Sequence, residues 1–109
     1  MNQSTFEKLI IDRSLTIERT LVSKGEEYAP GSDNPFHNFD ECAKINDITA
    51  EQALWGFMMK HFISIKDMVS SASAYSPEVI DEKIGDMINY LILLEGIMKR
   101  SHDKIINLK

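Results

Sequence analysis

Cysteine occurs once in the 109 residues, at Cys42, so one chain can build neither an internal disulfide nor a thiolate zinc site. That scarcity fits a reducing, cytoplasmic setting. Nor does any apolar run approach the roughly 18 residues that span a bilayer. Met1 to Lys8 is polar and mixed in charge, unlike a secretory leader, and the expectation is a protein that neither enters nor crosses a membrane. Positive charge is in deficit: 12 Lys and Arg stand against 17 Asp and Glu, a formal charge of −5. Such a balance argues against a protein that coats bulk nucleic acid through its phosphates, and an anionic ligand would need a local basic site or a metal ion. The chain also lacks a Gly-rich phosphate loop after a strand, an H-E-x-x-H pair and a G-x-S-x-G elbow. Nothing near Cys42 in sequence would activate it as a nucleophile.

Proline and glycine are few, three and five respectively, and where they cluster they divide the chain. Apolar residues from Phe6 to Val22 recur at spacings of three and four with no Gly or Pro before Gly25, which predicts a first helix. Ser4 and Glu7 have the form of a capping box at its start, and Lys24-Gly25 looks like its stop. From Glu26 to Asn38 the chain carries Pro30, Gly31, Asp33, Asn34 and Pro35, and this density of turn formers predicts one long loop. Loops beyond about 12 residues in compact domains tend to be functional or mobile. A short helix is predicted over Asp40 to Lys44. Thr49 and Gln52 form a second capping box ahead of a helix running to about Val69. After the small-residue linker Ser70 to Ala74, Ser76 and Pro77 suit the N-cap and first position of a last helix reaching about Ile105. With 43% hydrophobic residues the chain can form a core, and the expected fold is all-α. It is a single-domain helical bundle with two long central helices, a shorter helix and one long functional loop. A domain this small buries a limited share of its surface, so a homo-oligomer is expected.

Polar residues interrupt the two long helices at regular spacing. In the last helix Glu82, Asp86 and Asn89 fall at i, i+4 and i+7 and share one face, although Met87 to Leu94 is apolar on nearly every side. Carboxylates in such surroundings neutralise, pair or bind a metal. In the third helix Lys60, Ser64 and Asp67 repeat the spacing, with His61 beside Lys60. Facing seams would bring Lys60 to Asp86 or to a ligand phosphate and would let His61 donate to a base or phosphate. The structural alternative is that the stripe pairs with Lys60 or Arg13 or that its Glu82 end is simply exposed, and that His61 is a hydrogen-bonded core or boundary histidine. Glu27, at the end of the first helix, can join Glu82 and Asp86 around Mg²⁺, a hard cation that takes carboxylate oxygens and keeps waters; otherwise it belongs to a solvated acidic helix end. Asn34, His37 and Asn38 either bind a nucleobase edge or cap the next helix. The Trp55 and Met58 stripe reads as core rather than as a base-stacking platform.

Taken together, Lys24-Gly-Glu-Glu-Tyr-Ala29, Phe36-His-Asn-Phe39, Ala53-Leu-Trp-Gly56, Lys60-His61 with Ser64-Ile65, and Glu82-Lys-Ile-Gly-Asp86 with Ile88-Asn-Tyr-Leu91 resemble small phage and prophage proteins. These are the nucleotide-modification-associated, MazG-like group. The resemblance spans roughly Lys24 to Leu94, and the Glu82 to Leu91 block is similar to the second metal-binding motif of all-α nucleoside triphosphate pyrophosphatases. It implies an oligomeric helical bundle in the cytoplasm of a bacterial host, in which Mg²⁺ held by carboxylates activates attack of water on a nucleotide phosphate.

Carried onto this chain, the resemblance makes Glu82 and Asp86 metal ligands and Asn89 a nucleotide contact. The reading of the residues themselves adds Glu27 as a further metal ligand, Glu27 and Lys60 as catalytic candidates, and Lys60, His61, Ser64, His37 and Asn38 as nucleotide contacts. One departure is plain. The superfamily places a Glu-x-x-Glu pair on the helix that here offers Lys60, His61 and Ser64, residues suited to phosphate rather than to Mg²⁺. Three functions stay open: a Mg²⁺-dependent nucleotide pyrophosphohydrolase, a non-catalytic nucleotide sponge with an anti-defence role, and a structural bundle that modulates a host protein.

Overall fold

The computed structural model describes residues 1–23 and 33–107. Every regular element among the described residues is a helix: α1 (Gln3–Glu18) runs on through a π-helical turn (Arg19–Ser23), followed by α2 (His37–Asn46), α3 (Ala50–Ser70) and α4 (Pro77–Asn107). The all-α bundle read from the sequence is the observed fold class. No helix among the described residues is long and apolar enough to cross a membrane. The chain forms two compact units, Met1–Pro35 and Phe36–Lys109.

In the first unit the helix start differs from the sequence expectation. Asn2, not Ser4, is the N-cap: its Oδ1 accepts from the Thr5 amide at 2.9 Å and from the Thr5 hydroxyl at 2.8 Å. Asparagine caps as well as serine does, and capping two residues earlier gives the helix additional backbone hydrogen bonds. Further along, Ser14 and Thr16 donate to the carbonyls of Ile10 and Asp12, the back-bonding that bends helices, just ahead of the π-helical turn. Residues 24–32, which include the expected Lys24-Gly25 stop and Glu27, lie outside the described residues.

The second unit is built on the antiparallel pair of α3 and α4, joined by the short linker of residues 71–76. Both expected caps are present. Thr49 Oγ1 accepts from the Gln52 amide at 3.1 Å while Gln52 Oε1 accepts from the Thr49 amide at 3.0 Å, and Ser76 Oγ accepts from the Val79 amide at 3.3 Å, one residue after which Pro77 needs no donor. Helix α2 is longer than Asp40 to Lys44, because its first turn begins at His37 and its end is closed by Asp47 in the left-handed region (φ 54°). There the Ile48 amide reaches back to the Ala43 carbonyl at 3.0 Å, a left-handed C-terminal closure that aspartate tolerates better than branched residues do.

Leu54, Met58 and Ile97 are the innermost side chains, at most 2% exposed, with Phe36, Phe39, Tyr90 and Leu93 packed around them. Burying each such aliphatic side chain contributes about 1.5–3 kcal/mol. Helix α2 is tied to α4 beside this core. Arg100 donates to Asp40 through both terminal nitrogens, at 3.0 and 2.8 Å, a bidentate geometry that strengthens a charge-assisted pair. These hydrogen bonds raise the guanidinium above its ordinary pKa despite partial burial. The same guanidinium lies 4.9 Å from the centroid of the Phe36 ring, within cation–π range. That ring rests against the α4 backbone because residue 96 is glycine: a Cβ there would come within 2.7 Å of Phe36 Cζ.

Gly96 and Gly56 therefore give opposite outcomes. Gly96→Ala forces the Phe36 ring off α4 and should cost about 1–3 kcal/mol, the usual range for overpacking. Gly56, with nothing within 4 Å of a Cβ, should gain about 0.5–1 kcal/mol on replacement by alanine. Urea unfolding of both variants reads the difference, and equal midpoints would contradict the packing described.

Candidate functional site

On α3 the inward side is carried by residues at helical spacing, Leu54, Met58, His61 and Ile65. His61 is thus drawn inward by the apolar residues of its own face. The opposing turn of α4 carries Asp86, Asn89 and Tyr90. His61 Nδ1 lies 3.6 Å from Asp86 Oδ2, with the histidine side chain 19% and the aspartate 41% exposed. At that distance the contact is an ion pair when the imidazole is protonated and too long for a good hydrogen bond. The imidazole also leans on the Tyr90 ring, centroids 4.9 Å apart at 36°. Tyr90 in turn meets Phe39 edge to face at 6.4 Å, and Phe39 meets Phe57 at 5.6 Å. A ring ladder from three helices therefore holds one wall of the seam in place.

Asn89 lies one turn beyond Asp86. Its Oδ1 is shielded from solvent and receives no hydrogen bond among the described residues. A buried amide oxygen without a donor costs about 1–3 kcal/mol, so native proteins hold few of them, and each calls for an explanation.

The sequence leaves Lys60 to meet either Asp86 or a ligand phosphate, and in the structure His61 is the residue beside Asp86. One residue along a helix turns the side chain by about 100°, which carries Lys60 out of the interface; it is exposed and forms no ion pair with a described residue. Ser64 is half-buried on the same side as His61, whereas Glu82 is exposed a turn before Asp86. His37 and Asn38 stand exposed in the first turn of α2, and neither bonds to the His61–Asp86 pair. Glu27 lies outside the described residues. Among those described, no three His, Cys, Asp or Glu side chains come together as a metal-binding group. Glu82 and Asp86 alone provide two carboxylates, and Asp86 faces an imidazole whose protonated form repels a cation.

Sequence reasoning missed Tyr90. Its position directly after Asn89, on the same inward side as Asp86, was the available signal, but it was read only as part of an apolar run. The Trp55 and Met58 stripe also divides: Met58 is core, whereas Trp55 is 55% exposed. It borders an apolar depression of about 250 Å³ lined by Trp55, Met58, Met59, Phe62, Met87 and Leu91.

No family model, curated protein or solved structure matches the chain. The geometry of α3 and α4 therefore has to carry any functional reading.

Replacing the shielded amide with an isosteric hydrocarbon tests the state of the seam without any ligand. Asn89→Leu should raise stability by about 1 kcal/mol, since it removes an unsatisfied buried oxygen, measured as a higher urea midpoint at unchanged slope. A drop of that size instead would mean that Asn89 is already satisfied.

Proposed function

We propose that the chain binds a nucleotide, or a small molecule derived from one, at the α3–α4 seam around His61, Asp86 and Asn89. The observation that carries this reading is the shielded Asn89 Oδ1, unsatisfied among the described residues, one turn from the His61–Asp86 contact. An amide oxygen held dry and without a donor is stabilised by a ligand N–H, such as the exocyclic amine or ring N–H of a nucleobase. A ring N–H of His61 supplies a donor for phosphate. Lys60 and Ser64, on the neighbouring turns of α3, extend the phosphate-binding side, and exposed Lys60 is free to swing toward an anion. His37 and Asn38 contact the ligand only if it reaches α2. The resemblance to MazG-like phage proteins supports the same ligand class.

Mg²⁺ would enter with the nucleotide. That ion keeps several waters and is often bound by one or two carboxylates together with substrate phosphates, so Glu82 and Asp86 are the side chains to receive it. The ion would neutralise phosphate charge. The chain's own residues do the rest: Asn89 reads the base, the Tyr90 and Phe39 rings fix the imidazole, and His61 and Lys60 bind phosphate oxygens. A lysine and a histidine where the pyrophosphatases carry Glu-x-x-Glu favour binding over hydrolysis. The protein is read as a nucleotide sponge acting as a homo-oligomer, with an anti-defence role in a phage-infected cell and pyrophosphohydrolysis as the second reading.

Calorimetry with nucleoside mono-, di- and triphosphates and cyclic dinucleotides in Mg²⁺ buffer, followed by recovery of the ligand, tests the proposal. Binding with intact ligand is expected. Asn89→Leu and His61→Ala should each weaken it at least tenfold, the loss of one good hydrogen bond to a charged or buried group, about 1.4 kcal/mol. Released pyrophosphate would establish the hydrolase instead. No heat with any nucleotide, together with an Asp86→Ala variant altered only in stability, would sink the nucleotide reading and leave a structural bundle.

A further inference from the structure

Helix α2 has little apolar support of its own. Of its ten residues only Ala43 is buried, and Ile45 near its end is 82% exposed; a helix that short is not stable without a partner. Its backbone lies along α3, whereas it reaches α4 through side chains. Phe36, Phe39 and Asp40 stand at i, i+3 and i+4 on one face of its start, and each meets α4. The Phe36 ring fills the notch at Gly96, Asp40 is gripped by both terminal nitrogens of Arg100, and Phe39 meets the Tyr90 ring edge to face.

These contacts run from Tyr90 to Arg100, about 15 Å along the α4 axis. At the Tyr90 end lies the seam, since that ring also carries the His61 imidazole, centroids 4.9 Å apart. At the other end the Arg100 and Asp40 side chains are part-buried, 28% and 24% exposed, and hold against solvent screening better than an exposed pair does. Asp40 is covalently next to Phe39, so the guanidinium that fixes one also fixes the other.

We infer that Arg100 is a positioning residue for the seam: by gripping Asp40 it docks the first turn of α2, docked α2 holds Phe39 against Tyr90, and Tyr90 so held keeps the His61 ring in place. Arg100 itself stands about 21 Å along the helix from Asp86, and its effect on the seam passes through α2. Withdrawing Phe39 opens a space on one side of Tyr90, into which the ring turns by a change of rotamer, and His61 loses the face it leans on. The seam is complete only while α2 is docked, so its apparent affinity scales with the docked fraction. The coupling is carried by one short helix with two arrangements, docked and released.

The inference rests on the nucleotide reading for its consequence, while the ring geometry is read without a ligand. Nuclear Overhauser cross-peaks between the ring protons of Phe39 and Tyr90, and of Tyr90 and His61, are expected in the wild type, and their absence there overturns the inference. Arg100→Gln should lose both with helicity retained by circular dichroism. It should also weaken binding of the nucleoside phosphate taken up by the wild type by about threefold or more, as the docked fraction falls. Asp40→Asn added to Arg100→Gln should weaken it no further, the mark of two residues acting through one pair. Glu41→Gln breaks the exposed Lys44–Glu41 pair on the same helix and should change neither reading. Gly96→Ala displaces Phe36 without altering any charge and should lose the same cross-peaks, which keeps the test decisive where Arg100→Gln fails to fold. Cross-peaks that survive in both variants, with only the urea midpoint lowered, overturn the inference and leave a structural tie; so does full affinity once the cross-peaks are lost. No binding by the wild-type chain sinks the nucleotide reading instead, and the cross-peaks still decide whether Arg100 positions His61.

Discussion

Leu54 and Met58 of α3 meet Ile97 of α4 at the centre of the second unit, and the rest of that unit is arranged around this contact. The antiparallel register that brings Leu54 and Met58 to Ile97 also sets Glu51 against Ser101, 3.1 Å apart, and His61 against Asp86. The core is small. Besides these three side chains only Ala43 and Ala53 are buried apolar residues among those described, so the polar ties of α2 to α4 matter more than they would in a larger domain. Asp40, Arg100, Phe36 and Gly96 form one such tie, in which a glycine permits the ring, the ring receives the guanidinium, and the guanidinium grips the carboxylate.

A rigid apolar crossing stands next to a polar seam. Apolar packing holds the backbone in place, and on the proposed reading the seam keeps donors and acceptors that a ligand would satisfy. Asn89 is the clearest case, since a hydrocarbon side chain would cost less at that position in the free protein. His61 is fixed from two sides, by Tyr90 and by Asp86, so its ring has little freedom to lose on binding.

Much of the helix layout was legible because it is local. Thr49 with Gln52, and Ser76 with Pro77, are caps whose geometry depends on four consecutive residues, and both stand where the spacing put them. Asn2 displaced Ser4 for an equally local reason, the competition of two good caps two residues apart. The seam was half legible. Periodicity identified Asp86 and Asn89 as inward residues of α4, yet on α3 it could not separate Lys60 from His61. Neighbouring positions differ only by rotation about the helix, and which of them faces inward depends on how α3 is turned against α4.

Sequence by itself determined the all-helical class, the caps of α3 and α4, the want of cysteines for an internal disulfide or a thiolate zinc site within one chain, and the residue types from which a polar seam could be made. These follow from backbone propensity, hydrogen-bonding capacity and composition, none of which requires a neighbour. Tertiary structure alone decided that His61 rather than Lys60 faces Asp86, that Asn89 Oδ1 is left without a donor among the described residues, and that Trp55 stands outside the core while Met58 lies within it. Those outcomes are set by the rotation and register of one helix on another, and a single strand of residues does not contain them.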